Sequence, residues 1–161
     1  MLSLLLILII LLTIIVIQDF KSRSIHWVTL PPLFLGLYFY TFDYITISDL
    51  LLNLSFLVII FTSMVIYLRF RQKEWINPTK EFFGWGDILF LIAITPAANF
   101  RSFMFLFIIG AVFSLVLSVS IRIFNKSFDT IPFAGMFSVF MIFYLIYKYF
   151  HPEFSFYKLL N

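Results

Sequence analysis

Two aspartates stand where an apolar sequence has little reason to keep them. Asp19 follows the run Leu2 to Ile17, and Asp87 opens the run Ile88 to Ala98 behind Gly84-Trp85-Gly86. A charge held against an apolar segment costs several kcal/mol or is neutralised, so acids kept there usually have a use. Two carboxylates at close range share one proton, because both cannot ionise easily. The ionised member then takes a proton from water, and the protonated member polarises a carbonyl. That is the chemistry of aspartic peptide-bond hydrolysis, and such a pair titrates as a unit.

The other readings of these acids are plainer. Asp87 suits a helix N-cap, and Asp19 suits a solvated acid beside Lys21 or Arg23. Gly84 and Gly86 suit a flexible turn, or a stretch that lets extended backbone pass close by. Helix polarity favours the negative charge on Asp87, at the start of one apolar segment, over Asp19, at the end of another.

The elements that must position these acids are hydrophobic throughout. Of 161 residues, 63% are hydrophobic and 12% charged, against about half and about a quarter in soluble domains. The composition predicts an all-α membrane protein, a polytopic bundle of about six transmembrane helices in one domain over residues 1–161. The chain has no cysteine, which excludes disulfides, thiolate metal sites and cysteine nucleophiles. His26 and His151 have no ligand spacing, and the serines have no Ser-His-Asp context. No metal or cofactor is implied. The net charge of +3 comes from basic residues in short loops, which report orientation in the bilayer rather than nucleic-acid binding.

The apolar segments run over residues 2–17, 27–42, 50–68, 87–98, 103–121 and 131–149. No Lys or Arg precedes the first and no small-residue cleavage site follows it, so it reads as a span rather than a signal peptide. The polar connections are 18–26, 43–49, 69–86, 99–102 and 122–130, and the tail 150–161 suits the interface. Six spans put both termini on one side. The loops on the other side carry Lys21, Arg23, Arg69, Arg71, Lys73, Lys80, Arg122 and Lys126, eight of the eleven basic residues. The positive-inside rule makes that side cytoplasmic, with Asp19 and Asp87 both at that face of a cell membrane. Glu74 and Glu81 read as solvated loop acids.

At this point the chain resembles a known family. Gly84-Trp85-Gly86-Asp87 fits the GxGD motif of intramembrane aspartic peptidases. The Asp19-Phe20-Lys21-Ser22-Arg23-Ser24-Ile25 stretch, with Thr29-Leu30-Pro31 after it, is similar to that around the first aspartate of the type IV prepilin leader peptidases. Ile131-Pro132-Phe133 resembles the Pro-Phe that often opens their last helix. The resemblance implies that Asp19 and Asp87 are catalytic. It implies motif or substrate-binding roles for Gly84, Gly86, Lys21, Arg23, Pro132 and Phe133. The implied partners are membrane-anchored pilin-like precursors with short basic leaders, besides the lipid bilayer. The sequence departs from the family at His26-Trp27 (often Pro-Asn), Leu89 (often Lys) and Ala134-Gly135 (often Gly-Pro). It also lacks the Cys-bearing N-terminal region linked to methylation, and so looks like a peptidase-only form. The competing functions are a proton-coupled transporter, which would place acids deep in the spans, and a non-enzymatic scaffold of an export apparatus.

Overall fold

A computed structural model describes residues 1–72, 84–124 and 132–151. Among these residues all regular structure is helical: α1 Leu2–Ser22, α2 Leu30–Thr41, α3 Ile47–Gln72, α4 Trp85–Ala93, α5 Phe100–Phe124 and α6 Phe133–Phe150. Short 3₁₀ turns at Trp27–Thr29 and Thr95–Ala97 lead into α2 and out of α4. Helices α1, α3, α5 and α6 are long and apolar enough to cross a bilayer. The protein is an all-α, membrane-embedded bundle. Glu74, Glu81, Ile131 and the tail from Pro152 onward lie outside the described residues.

The helix ends follow from capping residues that hydropathy alone does not weigh. Helix α1 runs on through Gln18 and Asp19 to Ser22, where a loop from residue 18 was expected, because nothing before Arg23 breaks it. Arg23 then turns left-handed, with φ of 53°, and its N–H donates to the Asp19 carbonyl at 3.1 Å. This is a common helix stop, though usually taken by glycine. Helix α3 starts at Ile47, earlier than expected, behind a capping box. The Asp49 N–H donates to Thr46 Oγ1, and the Thr46 N–H donates to Asp49 Oδ2, both at 3.1 Å. Asn99 caps α5 by accepting the Ser102 N–H at 3.2 Å, so that helix begins at Phe100.

Two of the six apolar segments form helices too short to span alone. Helix α2 has 12 residues and α4 has nine, which at about 1.5 Å per residue is well under the roughly 30 Å of a hydrocarbon core. Pro96 closes α4 into its 3₁₀ turn. That early end leaves backbone carbonyls in an apolar setting, and neighbouring helices satisfy them. Asn53 of α3, fully buried, donates from Nδ2 to the Thr95 and Ala98 carbonyls at 2.8 and 3.0 Å. The Thr41 hydroxyl of α2 donates to the Pro96 carbonyl at 2.7 Å, and the Phe100 N–H donates to Asp49 Oδ1 at 3.1 Å. These bonds gather the end of α2, the start of α3, the end of α4 and the start of α5 at one end of the bundle. The end of α6 joins them, with the Lys148 ammonium 4.3 Å from the centre of the Tyr44 ring.

The opposite end collects the end of α1 and the starts of α4 and α6. Helix α6 packs most extensively on α1 and then on α5. On α1 the buried positions are Leu5, Leu8, Leu12, Ile15 and Asp19, three and four residues apart, so one seam faces its neighbours. Asp19 is the last residue of that seam. On α6, Ala134, Phe137, Met141, Tyr144, Leu145 and Lys148 form the matching stripe. Phe137 is fully buried between Phe90, Phe133 and Phe140, whose ring centres lie 5.7 to 5.9 Å away.

A Cβ added at Gly110 of α5 would sit 2.5 Å from Phe137 Cζ. Gly110→Ala is therefore expected to destabilise the bundle by about 1–3 kcal/mol through overpacking. A second Phe137→Leu substitution should recover part of the loss. Thermal melting of the purified protein in detergent checks both.

Candidate active site

The first turn of α6 holds both aspartates. Pro132 precedes the helix and has no N–H to give, and helical bonding begins with the Met136 N–H donating to the Pro132 carbonyl at 3.0 Å. The amides of Ala134 and Gly135 therefore have no acceptor within the helix. The Ala134 N–H donates to Asp87 Oδ1 at 3.1 Å. The Gly135 N–H donates to Asp19 Oδ2 at 2.6 Å. Consecutive backbone donors thus place two carboxylates, from α1 and α4, side by side, and each lies within electrostatic reach of the other.

Each acid is also fixed on its own helix. Asp87 is the third residue of α4, not its N-cap. Gly84 takes the cap position, and its N–H donates to Asp87 Oδ2 at 3.3 Å. Asp87 thereby accepts one backbone N–H on each oxygen. Asp19 is 5% exposed and is the only fully buried acid among the described residues, while Asp87 is half-buried. The plain reading of Asp19 as a solvated acid fails on that burial. The helix-polarity argument also changes. The end of α1 disfavours charge on Asp19 and the start of α4 favours it on Asp87, while the positive end of α6 faces both carboxylates and favours charge on each.

The remaining sequence-picked residues fall into three groups. Gly84 is exposed and Gly86 half-buried, and neither has a positive φ. A Cβ on Gly86 would meet Ile25 at 3.5 Å, and one on Gly84 would meet Asp87 Oδ2 at 3.5 Å, both ordinary contacts. Lys21 and Arg23 are exposed at the end of α1. The left-handed conformation of Arg23 ends that helix next to Asp19. Pro132 is buried at the head of α6, and the half-buried Phe133 packs its ring 5.7 Å from that of Phe137. Leu89, at the position where a lysine was noted as common, is exposed on α4.

Several contributing residues were not singled out from sequence. Ala134 and Gly135 act through their backbone, which no side-chain motif advertises. A Cβ on Gly135 would lie 3.1 Å from Asp19 Oδ2, 3.1 Å from Phe20 Cδ2 and 3.2 Å from Asp19 Cβ, so glycine is what lets α1 and α6 close. Gln18 accepts the His26 N–H on Oε1 at 3.1 Å. That bond folds the loop after α1 back and lays Ile25 against Gly86. The glycine after Pro-Phe was the available signal for Gly135. Among the described residues no cluster of three or more His, Asp or Glu side chains is arranged to hold a metal ion.

Two close carboxylates at a helix start, one buried and one half-buried, can bind and activate a water between them. No curated protein and no solved structure matches the chain. The family whose model does match is described as the type IV leader peptidase family, over residues 6–119. The matched stretch contains Asp19 and Asp87 and ends within α5, ahead of α6. With more than half its length so matched, this chain belongs to the type IV leader peptidase family.

Proposed function

We propose that the protein is a membrane aspartic endopeptidase that removes the short basic leader from type IV prepilin-like precursors. The observation that carries this reading is the convergence of Asp19 and Asp87 on the consecutive amides of Ala134 and Gly135. One carboxylate acts as base towards water, and the other, protonated, polarises the scissile carbonyl. The substrate is itself a membrane-anchored helix, presented from the cytoplasmic side of the cell membrane. Its leader reaches the acids over the exposed start of α4, where Gly84 and Gly86 leave room for extended backbone. Lys21 and Arg23 flank that approach. A proton relay would call for acids along the depth of the bundle. Here the paired acids lie at one end, which favours the peptidase.

Purified protein incubated with candidate precursors tests the reading directly. Asp19→Asn and Asp87→Asn should each lower cleavage by at least about a thousandfold, because the two acids act as one unit and losing either costs nearly as much as losing both. Melting should stay near that of the wild type, since Asn matches Asp in shape. Cleavage by either variant within tenfold of wild type (a fall of only about 1.4 kcal/mol in transition-state stabilisation) would rule out the dyad. The wild-type pH profile should be bell-shaped, each limb reporting one ionisation of the pair. Orientation is checked separately: reporter fusions at Gln72 and Asp129 should read as cytoplasmic, and one at Thr46 as external.

Gly86→Ala should dissociate stability from activity. The added methyl fits the fold, and alanine at a helical position is better than glycine by up to about 1 kcal/mol. The variant should melt at or above the wild-type temperature yet cleave more slowly, since its methyl presses on Ile25, in the loop after Asp19 that borders the proposed substrate path. Undiminished cleavage would remove Gly86 from that path.

A further inference from the structure

The start of α6 does more than end a chain of apolar residues. A helix start needs acceptors for its first amides, and a local Ser, Thr, Asp or Asn ordinarily supplies one. Here the cap residue is Pro132, which has no capping side chain. The acceptors come from 47 and 116 residues away in the sequence, and both are acids. Bringing two carboxylates together opposes folding through their mutual repulsion. A serine at the cap would have satisfied the helix without that repulsion. Gly135 adds a second, independent sign. Its missing Cβ leaves the space into which Asp19 closes, and alanine would otherwise be the better helix former.

We propose that Ala134 and Gly135 are the positioning residues of the aspartate pair. Their backbone N–H groups set the spacing of the two carboxylates, and the absent Gly135 side chain sets how closely α1 approaches. The inference rests on the two aspartates being the catalytic pair. Adjacent amides in the first turn of a helix point the same way along its axis, only about 1.5 Å apart in rise. Acceptors bound to both are therefore forced close together. Their positive ends also favour the negative charge that the pair carries after losing one proton. Helix α6 packs on α1 and α5, and its residues 134–138 are buried, so this first turn is part of the packed bundle rather than an exposed cap.

Ala134→Pro deletes the one α6 N–H that Asp87 accepts and leaves the Gly84 N–H on its other oxygen. Proline is tolerated in a first helical turn, where no intrahelical bond is lost. The same chain already carries Pro31 and Pro32 at the second and third positions of α2, behind a helical Leu30. Ala134→Gly keeps the N–H and serves as the control. In precursor cleavage, Ala134→Pro should lower kcat by about tenfold to a hundredfold, the scale of a small misplacement of reacting groups. KM should stay within about twofold, and Ala134→Gly, which keeps the N–H, should lose much less kcat than Ala134→Pro. Gly135→Ala should lower kcat similarly. A merely structural role would not divide the effect between kcat and KM in this way.

A double-mutant cycle in melting gives a readout that needs no substrate. Ala134→Pro should lower the melting temperature by less in an Asp87→Ala background than in the wild type, because the bond it breaks is already gone. Equal shifts in both backgrounds, or wild-type kcat in Ala134→Pro, would overturn the inference. Wild-type protein that shows the melting coupling but cuts no precursor would instead overturn the peptidase reading and leave the positioning intact.

Discussion

The end of the bundle that holds both aspartates depends on two backbone hydrogen bonds, from Ala134 to Asp87 and from Gly135 to Asp19. An apolar bundle has few ways to hold two acids together. Side-chain donors there would bring their own desolvation cost, and a metal would need further ligands. A helix start offers amides that lack partners in any case. The bonds solve two problems at once: the start of α6 is capped, and the acids are placed. The rest of the bundle then has to deliver three helix ends to one spot. Helix α1 does so by ending its buried seam on Asp19. Helix α4 does so by being short, which brings Asp87 level with the start of α6.

A short helix inside an apolar bundle has its own cost at the far end. Helix α4 stops at Ala93, and its 3₁₀ continuation exposes carbonyls that lipid cannot satisfy. Asn53 and Thr41 answer them, and Asp49 takes the Phe100 amide. Two sets of polar residues in the described bundle thus have separate tasks. One set closes the broken backbone around Thr95 to Ala98. The other, at the opposite end, contains the two aspartates. Lys148, held against the rings of Tyr44 and Tyr144, anchors the end of α6 far from the acids.

Much of this was legible in the sequence, for identifiable reasons. The apolar segments announce helices in a membrane. Asp19 and Asp87 stand out because charge is rare beside them, and counting segments puts them at one end. The facing of α1 was not legible. Almost every residue from Leu2 to Ile17 is Leu or Ile, so no polar side marks the outer surface, and the seam at Leu5, Leu8, Leu12 and Ile15 has no contrast to show it. Helix lengths were misjudged where a cap outweighs hydropathy, as at Thr46-Asp49 and Asn99. The sequence also hid the real partners of the acids. Pro132 and Phe133 carry the recognisable pattern, yet Ala134 and Gly135, just beyond them, make the contacts.

That displacement by one or two residues has a physical reason. Proline at the cap fixes φ and removes one donor, so the helix begins in a defined place with its next amides free. Phe133 packs on Phe137, and Phe137 is fully buried against Phe90 of α4, which restrains the rotation of α6. With its start set by Pro132 and its rotation by that packing, the amides of Ala134 and Gly135 meet the acids. The Pro-Phe pair and the amides are therefore parts of one device, the first aiming what the second holds. Proline, more common in the family at the position of Gly135, has no N–H to give. The bond from the Gly135 amide to Asp19 is thus one that this chain's Ala134-Gly135 makes possible, and the small residues there leave α1 room to approach.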